Sequence, residues 1–141
     1  MGGSACTPAV GDRVGAVLPL IAGLEVGLFI ATLGCILANA FEVAAKAAQA
    51  QFVVRNSAEV GVERRWIPYL AILEGLGVAG LVVGLLGWPI VGLAAAVGLV
   101  MFFVGAVFSH VRAQVFHNIA FPVVFLGLAV AALGHFAWSG I

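Results

Sequence analysis

The sequence predicts an all-α protein, a transmembrane antiparallel four-helix bundle, and three observations carry that expectation. The chain is 64% hydrophobic and only 9% charged, with a mean hydropathy of +1.22. Six acidic and six basic side chains cannot cover so much apolar surface in water. The apolar residues fall into four runs, each long enough to supply the roughly 20 helical residues that cross a hydrocarbon core of about 30 Å. Small residues recur along these runs at helical spacing, as close helix packing in lipid requires.

The length, 141 residues, fits one domain. Residues 1–13 read as a flexible leader and residues 14–141 as a single four-span membrane domain. The first span covers about 14–45, and "AAKAAQAQF" continues its helical pattern past Lys46 into the interface. It is too long for a signal peptide and has no clean cleavage site after a short core, so it reads as retained. The second span covers 67–87. Trp88-Pro89 then makes a tight break, because proline suits the first turn of the third span, 89–110. The fourth covers 119–138, with Pro122 in its first turn, where a missing N–H does little harm.

Four spans put both termini on one side. Lys46, Arg55, Arg64, Arg65 and Arg112 fall in the two loops on the other side, and only Arg13 lies near the termini. The positive-inside rule then predicts a multi-pass cell-membrane protein with loops 46–66 and 111–118 in the cytoplasm and both termini outside. Formal net charge is zero, and no basic run points to nucleic acid. Cys6 and Cys35 have neither a redox-pair nor a metal-knuckle spacing. The start lacks the Ser or Thr of a myristoylation signal, having Cys6 in that place.

Each helix carries a face of small residues where a neighbour is expected to approach. These are Gly23, Gly27, Ala31, Gly34 and Ala38 in the first span, and Gly77, Gly80, Gly84 and Gly87 in the second. The third offers Ala94, Gly98, Gly105 and Ser109. Beside the first of these faces runs a polar stripe, Glu25, Thr32, Cys35, Asn39, Glu42 and Lys46. Positions seven apart drift only about 20° per heptad on a helix, so the stripe is a single wall. Polar groups facing acyl chains are costly, so the wall is expected to face the bundle interior.

Glu25 and Glu74 are the two most expensive carboxyls, and at their depth each needs a partner. Glu42 and Lys46 have the acid-first i,i+4 order of a local ion pair. Topology gathers Glu74, Asn39, Glu42, Lys46, His110 and Asn118 toward the loop side, where they can line a cavity for a polar head group. Histidine titrates near neutral pH, which makes His110 a candidate for proton transfer. No histidine pair has helical ligand spacing, and neither a metal site nor a nucleotide loop is expected.

From Trp66 onward the chain resembles the DoxX-like membrane proteins. The resemblance rests on a glutamate followed by glycines, "LEGLGVAGLVVGL", and on a third span ending in "GAVFSHVR". It covers about residues 20–138 and is best over 60–113. It implies a four-helix membrane bundle. It also implies a link to redox complexes, since the family takes its name from a subunit of a thiosulfate:quinone oxidoreductase, while other relatives act as assembly factors. The leading expectation is therefore a membrane protein that binds a lipophilic, quinone-like molecule. Glu74 and His110 would exchange protons with the head group, and Asn39, Glu42, Lys46 and Asn118 would line its cavity. The alternatives are a scaffold or assembly subunit, docking a membrane partner or a second copy, and a small proton-linked transporter.

Overall fold

The computed structural model describes residues 10–140, so Cys6 and residues 1–9 of the expected leader lie outside the described residues. Five helices follow in order: α1 (Val10–Ala47), α2 (Gln51–Glu59), α3 (Ile67–Leu85), α4 (Pro89–Arg112) and α5 (Ala120–Ser139), with one 3-10 turn at Arg64–Trp66 before α3. Four of them are long and apolar enough to cross a membrane. No strand occurs among the described residues. α1 begins at Val10, inside the segment expected to be a leader.

α1 packs on α3 and α5, and α4 packs on the same two helices, which makes a closed ring of antiparallel neighbours. Leu81, Leu99, Phe103 and Phe136 fill its centre, with Cys35, Ala96, Ala129 and Ala132 between them. Large apolar side chains such as Leu20, Leu86 and Ile90 point outward instead and are 72–81% exposed in the isolated chain. Such a surface is stable only against acyl chains, and the protein is embedded in a lipid bilayer.

The glycine seam of α3 is where the bundle closes most tightly. A Cβ at Gly80 would sit 2.5 Å from the Cβ of Ala95, and one at Gly84 2.5 Å from the Cα of Gly92. The other two small faces behave differently from expectation. On α4 the residues turned inward are Gly92, Ala96, Leu99 and Phe103, while Ala94, Gly98 and Gly105 are exposed. A Cβ at Gly98 or Gly105 would meet nothing within 4 Å, and the same holds at Gly23 and Gly27 of α1. A glycine permits a close approach, but the larger apolar side chains decide which face is turned inward.

The helix expected to run on through "AAKAAQAQF" stops at Ala47. Gln49 takes a left-handed conformation, φ 48°. The N–H groups of Gln49 and Ala50 donate to the carbonyls of Lys46 and Ala45, the bonding pattern of a Schellman ending. Gln114 ends α4 in the same way at φ 57°, with Gln114 and Val115 donating to Val111 and His110. Glycine is the usual residue at that position because a Cβ costs roughly 1–2 kcal/mol there. Freed from α1, the chain forms α2, seated by Val53 against Ala45 and Ile67.

Candidate functional site

The polar stripe of α1 does face inward over most of its length. Thr32, Cys35 and Asn39 are fully buried, and Lys46 is nearly so. Glu25 is the correction. It is exposed and accepts a hydrogen bond from the indole N–H of Trp138 at 2.8 Å, level with the last turn of α5. Beyond that point Leu18, Leu20 and Leu24 are exposed, so α1 continues past the helices that could have enclosed Glu25.

On α3, Ile67, Ala71, Glu74 and Leu81 are all buried on one seam, which carries Glu74 into the interior. The Lys46 ammonium meets it, with Nζ 2.5 Å from Glu74 Oε2 and 3.2 Å from Glu42 Oε1. Lys46 also lies over the ring of Phe102, 5.6 Å from its centroid. Its place in the last turn of α1 adds the favourable end of the helix dipole. One ammonium thus serves two carboxylates and joins α1 to α3 inside the bundle. Sequence spacing reveals the Glu42 partner but not the Glu74 partner, 28 residues away.

Asn39 lies in the same buried layer. Its amide donates to the Cys35 carbonyl at 2.7 Å and contacts the Cys35 sulfur at 3.4 Å. Thr32 likewise donates to the Leu28 carbonyl at 2.8 Å. Both side chains therefore satisfy their donors on their own helix.

Toward the loop end the four spans part around a cavity of about 770 Å³. Phe41, Phe102, Phe103, Phe121 and Phe125 form much of its apolar wall, and Glu42, Lys46, Ser109, His110 and Asn118 supply polar groups. Phe41 and Phe121, on α1 and α5, are 67% and 66% exposed, so the cavity opens at the seam between those helices. α2 closes another side through Phe52, Val53, Asn56 and Ser57. Its Glu59 faces His117 Nε2 at 3.1 Å and the Asn118 amide at 3.5 Å, and so ties α2 to the loop between α4 and α5.

Of the residues expected to line a cavity, Glu42, Lys46 and Asn118 do so, and His110 lies in the same wall. Asn39 and Glu74 are outside that wall, Glu74 being held by Lys46 behind it. α2 is the part that sequence reading missed, since it lies within residues 46–66, which read as a loop entered by the end of the first helix. In "FVVRNSAE" the positions one turn after apolar Phe52 and Val53 are polar Asn56 and Ser57, so no continuous apolar stripe announces the helix. Among the described residues, no group of three or more His, Cys, Asp or Glu side chains is arranged to hold a metal ion.

The model of the DoxX-like family matches residues 30–132. The chain belongs to the DoxX-like family. The matched stretch takes in α2, α3, α4 and the facing parts of α1 and α5, and so includes the cavity and the Lys46–Glu74 pair of this DoxX-like protein. No curated protein and no solved structure matches the chain.

Proposed function

We propose that this DoxX-like protein binds a lipophilic molecule at the loop end of the bundle, with its apolar body among the phenylalanines and its polar head against Lys46, His110 and Asn118. The observation that carries this reading is the cavity itself, about 770 Å³. That lies within the roughly 300–1,000 Å³ of small-molecule sites, which likewise combine apolar walls with a few polar groups. The seam between α1 and α5 would admit the ligand from the acyl chains. A quinone-like compound is the sharpest candidate, because the family resemblance implies redox-linked relatives. His110 is then the group that meets the head group for proton exchange, and Glu74 acts on it only through Lys46. The loops would face the cytoplasm, following the basic-residue bias.

Filling the cavity tests the proposal. Ala106 lies in its wall, and Ala106→Trp is expected to weaken binding of a radiolabelled short-chain hydroquinone, kept reduced, to the purified protein by at least about tenfold, or about 1.4 kcal/mol. Unchanged affinity in a variant of normal helicity would overturn it.

A second reading, a scaffold or assembly subunit, is favoured by the open face of α4. Gly98 and Met101 there line an apolar groove with Leu73 and Leu76 of α3, which would dock a helix of a membrane partner or of a second copy. Crosslinking through Met101 in native membranes separates the readings, since only a scaffold requires a stable neighbour.

A further inference from the structure

We propose that the polar end of the cavity selects a lipophile whose head group donates hydrogen bonds, such as a phenolic or alcoholic hydroxyl and, for a quinone-like ligand, its reduced hydroquinone form, over one that can only accept them. This rests on the reading of the cavity as a lipophile site, and it follows from the hydrogen-bonding state of the polar groups around it.

Asn118 is 8% exposed, and its amide nitrogen points to Glu59 Oε2 at 3.5 Å. A carboxylate in an ion pair only accepts, which fixes which end of the amide faces Glu59. The other end, Oδ1, is buried without a partner and with almost no accessible surface, so this oxygen does not meet a molecule in the cavity. His110 gives the first acceptor. Its Nδ1 lies 2.9 Å from the Ala106 carbonyl, and a carbonyl cannot donate, so Nδ1 carries the proton. In the neutral ring Nε2 is then a bare acceptor.

Ser109 gives its hydroxyl proton to the Gly105 carbonyl at 2.9 Å, which leaves its lone pairs unused. Glu42 has one oxygen on Lys46 and a second free to accept. Against these stands Lys46, which has already committed donors to Glu42 and Glu74 and presents its charge to the Phe102 ring. An ammonium has three donors, so at most one remains.

The balance at this end is therefore toward acceptors. A hydroxyl head donates to His110 Nε2, or to the Ser109 or Glu42 oxygen, and can still accept from Lys46. A head without a donor covers His110 Nε2 without pairing it, which is the expensive case for a buried polar group. His110 is thus assigned as a residue that sets specificity.

The test compares two probes that differ in a single donor, a long-chain 4-alkylphenol and its methyl ether. Equilibrium binding to the purified full chain in nanodiscs is measured, with partition into empty discs subtracted. The phenol is expected to bind about tenfold more tightly, and His110→Phe is expected to bring the two within about twofold of each other. If His110→Phe does not fold, Ser109→Ala is expected to narrow the same gap. Equal affinity of the two probes for the unaltered protein would overturn the donor preference while leaving the cavity reading in place. Failure of both probes to bind would overturn that reading and the preference with it.

Discussion

Replacing Lys46 by alanine is expected to lower the stability of the folded bundle by about 3–5 kcal/mol, because it strands a buried charge. The Glu74 side chain is fully buried, and one of its oxygens already has no partner. Without Lys46 the other oxygen loses its only hydrogen bond, whereas Glu42, 26% exposed, can turn to water. The cost should fall on the α1–α3 contact, read as a lower midpoint in thermal or detergent unfolding. The double variant Lys46→Met with Glu74→Leu should recover most of the loss, since an apolar pair of similar volume often replaces a buried ion pair at little cost. Equal loss in the single and double variants would mean that the pair does not act as a unit.

Gly84→Ala should be nearly as damaging, for a steric reason. The added methyl group would lie 2.5 Å from the Gly92 backbone and 2.7 Å from the Phe136 ring. Backbone cannot rotate away as a side chain can, so α3 and α4 must separate, at a cost of about 1–3 kcal/mol or more. Gly98→Ala is the matched control, since its methyl group meets nothing within 4 Å. It should be neutral or slightly stabilising, because alanine is the better helix former by about 1 kcal/mol in water. Unfolding midpoints of the two variants in one detergent decide the matter, and similar shifts would contradict the glycine-seam account.

This pair of glycines also shows how far the sequence could be read. Hydropathy alone marks the four spans, because lipid demands a long apolar run from each helix independently of its neighbours. The direction of a helix face depends on those neighbours. For α3 the small residues and the packed face coincide at Gly77, Gly80 and Gly84. For α4 they do not, because Leu99 and Phe103 fill the centre and turn Gly98 outward.

The candidate site was legible to the same degree. The seven-residue spacing of Thr32, Asn39 and Lys46 identifies an inward wall, and burial bears this out for all three. It could not reveal that Lys46 crosses to Glu74, since that contact depends on the relative height of two helices 28 residues apart in sequence. Nor could it reveal α2, whose existence depends on Gln49 and its left-handed turn. Glutamine carries no local preference that announces such a turn. Its Oε1 accepts from Arg64 Nε at 2.7 Å, so the turn is braced by a residue just ahead of α3.

The central claim is that the loop-end cavity holds a lipophile by its polar end. Native mass spectrometry of protein extracted gently from its own membrane tests this most directly. The account predicts the mass of the chain plus a small hydroxyl-bearing lipophile, with the added mass lost in Ala106→Trp. The bare chain mass for both proteins, under conditions that preserve the fold, would contradict it.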